Sequence, residues 1–193
     1  MINSYNWNHL KSDFDIFKTK CYSSHEDKLN QLFEPDENNE AHFLFKKIES
    51  KSDLDELSNT QGFYVIFTDC KYDDNTCSLD VSFEIEENNV IETKAIYRGE
   101  GYHVKERLIS HLFNSQHKIS DDKQMENCMQ IEVGVKGIDI DSDNYKNFNW
   151  FVSVIRVAKS YSIVRKIMEE VFDAKYGRPL ASREKKKQRI VRS

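Results

Sequence analysis

Tyr97-Arg98-Gly99-Glu100-Gly101-Tyr102-His103-Val104-Lys105-Glu106-Arg107-Leu108-Ile109-Ser110-His111-Leu112 is the stretch on which the reading of this sequence turns. Its left end closes a run, Val90–Tyr97, whose residues suit an extended strand. Its right end lies within His103–Asn114, where Val104, Leu108 and Leu112 recur at i, i+4 and i+8. That is the apolar stripe of an amphipathic helix. Arg107 and His111 are one turn apart, so they share a flank of that helix beside the stripe. A strand therefore delivers Tyr97 to the mouth of a helix bearing a guanidinium and an imidazole.

Upstream, Asn88-Asn89 supplies turn chemistry, and Cys77–Ile85 alternates with Leu79, Val81, Phe83 and Ile85 on one side. These two runs predict a hairpin. Before them, Gly62 precedes the aromatic and β-branched run Phe63-Tyr64-Val65-Ile66-Phe67, a further strand. Downstream, Gln130–Val135 and Trp150–Val157 read as strands. Ser160–Tyr176 reads as a helix with Val164, Ile167, Met168, Val171 and Phe172 inward, stopped by Gly177 and Pro179.

Residues 1–58 predict helices. Trp7, Leu10, Phe14 and Phe17, and then Leu29, Leu32 and Phe33, recur at helical steps; a helical pattern follows through His42–Ile48, and a short helix from Ser52 carries Leu54 and Leu57. The fold class expected is α+β: a mostly antiparallel central sheet flanked by helices, plus an N-terminal helical extension. The expected divisions are an extension over 1–58, a domain over 59–182 and a basic tail over 183–193.

The chain has 193 residues, 38% hydrophobic and 32% charged, with twelve Phe and nine Tyr to fill a core. No apolar run approaches the roughly 20 residues that span a bilayer. The opening Met1-Ile2-Asn3-Ser4-Tyr5-Asn6 has neither the basic nor the apolar segment of a secretory signal, so the expected location is cytoplasmic, away from membranes. Cys21, Cys70, Cys77 and Cys128 are scattered without the paired spacing of a zinc site and read as ordinary thiols. The formal net charge is −5, which opposes phosphate binding at first sight. Residues 183–192, however, hold six basic side chains against Glu184, and acid gathers elsewhere, in 34–37, 84–87 and 139–143.

Three separated pieces carry candidate chemistry: Tyr64 after Gly62-Phe63; Tyr97-Arg98-Gly99 with Arg107 and His111; and Glu169 on the last helix ahead of Pro179-Leu180-Ala181-Ser182. Singly, each has a plain structural reading, because strand tyrosines usually pack and helix charges usually face water. In this order, on these elements, they resemble the GIY-YIG nuclease family over about residues 60–182. Gly62-Phe63-Tyr64 matches the first motif and Tyr97-Arg98-Gly99 the second. The helix bearing Arg and His one turn apart, and the later helix with a metal-binding Glu, follow in order. The sequence departs from the family in a longer Tyr64–Tyr97 segment, in Arg98 where an aliphatic residue is common, and in Ser182 where Asn is frequent. Glu170 stands beside Glu169; Glu169 is preferred because Phe172 and Tyr176 then fall at +3 and +7.

The resemblance implies a metal-dependent DNA endonuclease, with RNA also open as substrate, a homodimer allowed, and a role in restriction, defence or as a toxin. Glu169 would hold Mg²⁺ or Mn²⁺, Arg107 the scissile phosphate, and Tyr97 the phosphate or its water. Tyr64 would act as general base or orient the water, its phenolate favoured by cationic Arg107 and His111. Two alternatives stand beside this: a GIY-YIG-like module that binds nucleic acid without cutting it, and an acidic protein-interaction module working through residues 1–58. Asp139–Asn144 imitates the start of a calcium loop, but Asn144 and Trp150 occupy the places of the required Gly and Glu.

Overall fold

The computed structural model describes residues 43–86, 89–117, 137–157 and 162–182, together with Ile16, Thr19, Ser23, Ser24, Glu26, Met129 and Ile131. The helices expected before residue 42, the strand expected over Gln130–Val135 and the basic tail over 183–193 lie outside the described residues, apart from those single positions. The described chain is α+β. Its strands are β1 (Phe43–Lys47), β2 (Gly62–Thr68), β3 (Asp80–Glu86), β4 (Asn89–Gly101) and β5 (Trp150–Arg156). They form one antiparallel sheet in the order β1-β5-β2-β4-β3. A 3-10 helix, Lys51–Leu57, links β1 to β2; helix α1 spans Val104–Leu112 and helix α2 spans Ser162–Tyr176.

The helical pattern expected through His42–Ile48 is corrected by β1. Phe43–Lys47 pairs with β5 from Phe43↔Ile155 to Lys47↔Phe151. Leu44 packs into the core on one face of the sheet, while Phe45 meets aromatic rings on the other. A five-residue edge strand with apolar residues on both faces shows no alternation, so the tertiary pairing decides. Ile48, Leu54 and Leu57 are buried in the same core as Tyr64, so residues 43–58 pack with the sheet although they precede the expected boundary.

Each face of the sheet has its own core. Tyr64, Ile66, Ile96, Tyr97, Trp150, Val152 and Val154 pack under α1 and the 3-10 helix. Phe63, Val65, Phe67, Ala95, Phe151 and Ile155 pack under Met168, Val171 and Phe172 of α2. Burial on both faces explains why β2 reads as a continuous apolar run and why all seven of its residues are buried. The sheet also curls. Phe45 on β1 and Phe83 on β3, the two edge strands, bring their ring centroids within 4.7 Å, and Phe83 stacks on Phe151 at 4.0 Å. Curling of this degree closes the α2 side of the sheet at one end with aromatic rings.

Two irregularities shape the other end. A bulge lies between Ile66 and Phe67, whose β4 partners are Tyr97 and Ala95, so Ile96 is the extra residue. It resets the alternation of β4 and places Tyr97 on the α1 face. In addition, β3 pairs with β4 only over Asn89–Lys94, leaving the far half of β4 without a strand on that side. The C-terminal segment takes its place: Ala181 N–H donates to the Ile96 carbonyl at 3.0 Å, and the Ser182 hydroxyl joins Arg98 N–H (2.7 Å) to Arg98 C=O (3.1 Å). Gly177, at φ +78, ends α2 and turns the chain toward that edge.

Candidate functional site

Tyr97 to Gly101 form the axis of the site. Alternate residues of β4 point to opposite faces, so Tyr97, Gly99 and Gly101 lie toward α1 while Arg98 and Glu100 lie toward α2. On the α1 side, Tyr64 is paired with Gly99. A Cβ at Gly99 would sit 2.7 Å from Tyr64 Oη and 2.9 Å from Tyr97 Cε1, so only glycine admits both phenols. Gly101 does the same for Arg107, whose Cδ would stand 2.5 Å from a Cβ there. The arginine thus lies flat across the strand, and its Nε donates to Tyr64 Oη at 3.0 Å.

His111 Nε2 is 2.9 Å from the same Tyr64 oxygen, and its Nδ1 accepts from Met129 N–H at 2.8 Å. A backbone N–H can only donate, so Nδ1 carries the lone pair and the proton sits on Nε2. His111 therefore donates to Tyr64, and two donors converge on one phenol oxygen. The rings pack closely as well: Tyr97 to His111 is 4.4 Å between centroids and Tyr64 to Tyr97 is 6.0 Å. Four of the sequence-predicted residues, Tyr64, Tyr97, Arg107 and His111, are thus brought into one cluster.

The electrostatics correct one expectation. Burial drives His111 well below the usual histidine range, with Arg107 and His117 adding to the effect. It is a neutral hydrogen-bond donor, not the second cation expected beside Tyr64. Burial also pushes the Tyr64 hydroxyl well above the ordinary tyrosine range, with Tyr97 adding and Arg107 opposing. Tyr97 is raised by burial against the pull of Arg107. The phenol of Tyr64 in turn holds Arg107 above its ordinary value. In this arrangement Tyr64 keeps its proton, so its geometry suits positioning a water or phosphate oxygen rather than serving as a resident base.

This state of His111 gives a pH prediction. Its folded pKa lies below the ordinary 6.5, so on acidification the unfolded chain takes a proton that the folded chain refuses. Stability from this group is present above about pH 6.5 and falls below it, by up to about 1.4 kcal/mol per pH unit. Glu169, raised from 4.5 by burial, works in the opposite direction at lower pH. Urea unfolding of wild type and His111→Gln at pH 7.5 and 5.5 separates the two. The variant is expected to lose less stability across that interval, and an equal loss would place the imidazole in its charged form.

On the α2 side, Arg165, Glu169 and Asp173 fall at i, i+4 and i+8 and face Arg98 and Glu100 in an alternating ladder of charge. Arg165 Nε donates to Glu100 Oε2 at 3.0 Å. Arg98 Nη1 stands 3.1 Å from Glu169 Oε1, while its Nε and Nη2 grip both oxygens of Asp173 at 2.9 and 2.7 Å. Glu169 is half-buried and Glu170 exposed, which separates neighbours that the sequence leaves side by side. Burial raises Glu169 above the usual carboxylate range, Arg98 opposes this, and Glu100 adds to it. Arg107 and Tyr97 also act on Glu169 electrostatically, so the fifth predicted residue reaches the same end of β4 from the opposite face.

Among the described residues no three His, Cys, Asp or Glu side chains converge as a metal cage. The donor set is one half-buried carboxylate, with a second, Glu100, close enough to influence it. Such a set does not suit zinc, which takes three or four protein ligands, but it suits Mg²⁺, which accepts one or two carboxylates and retains its waters. Arg98 is the complication, because it already holds one oxygen of Glu169.

Glu100, Gly101, Asp173 and Arg165 belong to the site without having been singled out from the sequence. Gly99-Glu100-Gly101 beside a strand end is a signal for close approach to the backbone, and the i, i+4, i+8 spacing on α2 is a second. A cavity of about 550 Å³ lies toward the other end of the β3–β4 hairpin, lined by residues including Asp69, Tyr72, Asn75, Glu92 and Lys94, and holds none of the five predicted residues. Cys70 and Cys77 are free thiols. The calcium-loop imitation is a polar turn in which Asp139 accepts from Ser115 N–H and Oγ, and Asp141 from Gln116. No family model, curated protein or solved structure matches the chain.

Proposed function

We propose that this protein is a metal-dependent endonuclease that hydrolyses phosphodiester bonds of DNA, with an active site of the GIY-YIG type. The observation that carries this reading is the single hydrogen-bonded cluster of Tyr64, Arg107 and His111 against Tyr97, with Glu169 at the same strand end. Arg107 is the fixed cation. With Nε committed to Tyr64, it presents its remaining N–H donors to a phosphate oxygen, a task suited to a planar fork. Tyr64, held by two donors, orients the attacking water, and Tyr97 hydrogen-bonds the phosphate or that water. Neutral His111 fixes Tyr64 without adding charge. A Mg²⁺ or Mn²⁺ ion on Glu169 would supply Lewis-acid stabilisation of the leaving oxygen.

One observation favours a second reading, in which the protein binds nucleic acid without cutting it. The Arg98 guanidinium, in a place where the family commonly has an aliphatic residue, neutralises Glu169. Plasmid nicking with Mg²⁺, Mn²⁺ or EDTA decides between them. Wild type is expected to nick with metal and stop in EDTA, and Glu169→Ala to lose the reaction. Salt-dependent DNA binding without nicking in either metal would establish the second reading and sink the first. Nicking by Glu169→Ala at the wild-type rate would remove Glu169 from the site.

A further inference from the structure

Arg165 is fully buried, yet only its Nε is used, in the 3.0 Å bond to Glu100. Its Nη1 and Nη2 are shielded from solvent and find no acceptor among the described residues. A guanidinium carries four N–H donors on those two nitrogens. Leaving buried donors of a charged group unmet is costly, and an orphaned group of this kind in a native structure points to a water, ion or ligand. Pairing with Glu100 alone does not account for it, because Lys would serve as a point charge.

The surroundings define what would fit. The guanidinium carbon lies 4.2 Å from the ring centroid of Tyr102, which packs over one face of the fork and is itself 43% exposed. Glu100 closes the Nε side, so the open edge is the pair Nη1 and Nη2, the edge that grips two oxygens of one oxyanion. Arg165 is one turn from Glu169 on α2, and Glu100 adjoins Gly101, over which Arg107 lies. The empty fork thus borders the proposed active site on the α2 side of β4.

We infer that the Nη edge of Arg165 is a binding site for a phosphate group, filled by a non-scissile backbone phosphate of the nucleic acid while Arg107 holds the scissile one. The assignment to nucleic acid rests on the proposed function; the phosphate site itself does not. Tyr102, the exposed member of the stack, is the side from which the fork is reached.

The test uses the full chain in EDTA, where nothing is cut. Inorganic phosphate is titrated against wild type, Arg165→Gln and Arg165→Lys at constant ionic strength, with thermal unfolding as readout. At roughly ten times its Kd, phosphate is expected to raise the wild-type Tm by about 3–6 °C over chloride. Arg165→Gln should lose that shift. Arg165→Lys keeps the charge beside Glu100 and guards against a merely misfolded Gln variant; it should lose most of the shift because it lacks the fork. In a second arm, duplex DNA binding is followed against salt. The slope of log K against log salt should fall by about 0.9 in Arg165→Gln, the value for one phosphate contact.

Equal phosphate shifts in all three proteins would overturn the site. A lost phosphate shift with an unchanged DNA slope would overturn the assignment to nucleic acid and leave free phosphate as the ligand. If wild type nicks plasmid with metal and Arg165 proves indifferent to phosphate, this inference fails and the nuclease reading stands. If the Arg165-dependent shift and slope appear but no metal supports nicking, the nuclease reading fails and the phosphate site stands.

Discussion

Arg107→Ala is expected to nick DNA about 10²- to 10³-fold more slowly than wild type, the loss typical when a donor aimed at developing charge is removed. The size of the effect follows from placement. Arg107 is the one guanidinium of the cluster on the α1 side, and its Nε is locked to Tyr64 Oη at 3.0 Å. Removing it takes away the phosphate donor and half of what holds the phenol, since only the His111 bond remains. The fold should suffer far less, by about 1 kcal/mol, because Tyr64 keeps one partner and Gly101 merely gains empty space above it. Arg107→Lys divides charge from geometry. Lysine can approach a phosphate, but it cannot hold Tyr64 and a phosphate through one rigid plane. It should therefore recover substrate affinity more than turnover, and single-turnover rates at saturating DNA would show this as a depressed kcat with KM largely restored. Arg107→Ala protein that nicked within about threefold of wild type would remove this arginine from the proposed chemistry.

Much of that site was legible because its parts sit on strongly patterned elements. Val104, Leu108 and Leu112 fix which flank of α1 Arg107 and His111 share, and Phe63 to Phe67 could hardly be anything but a strand. What was hidden depends on contacts distant in sequence. The proton on His111 Nε2 is set by the N–H of Met129, eighteen residues away, and burial then keeps the ring neutral. No local pattern encodes that. Arg98 looked only like a departure from an aliphatic place, whereas it is the counter-ion of Glu169 and Asp173 across more than seventy residues of chain. Ser182 looked like a loss beside asparagine, yet its hydroxyl satisfies both the N–H and the C=O of Arg98. The bulge at Ile96, which decides the face of Tyr97, leaves no mark in composition. β1 was missed for a related reason: an edge strand apolar on both faces has no period to read.

Gly62→Ala is expected to destabilise the protein by about 3 kcal/mol or more, at the upper end for overpacking, and so to lower Tm by about 6–12 °C. Local propensity argues the other way, since alanine in a strand is favoured over glycine by roughly 0.5–1 kcal/mol. Sterics decide. Gly62 opens β2 between Arg156 of β5 and Gly101 of β4, and a Cβ there would stand 1.9 Å from the Ile155 carbonyl oxygen and 2.9 Å from its carbon. Those atoms belong to the backbone of a paired central strand and cannot move without opening the β2–β5 ladder. Gly99→Ala makes the instructive contrast. Its Cβ would meet the far end of Tyr64 and the edge of Tyr97, side-chain atoms that can shift. Gly99→Ala should therefore cost less stability than Gly62→Ala while displacing the phenol that Arg107 and His111 hold, and so reduce nicking out of proportion to the unfolding it causes. A Gly62→Ala protein with a Tm equal to or above that of wild type would mean that the β2–β5 contact is looser than its geometry requires. The same result would remove the physical reason for glycine ahead of Phe63-Tyr64.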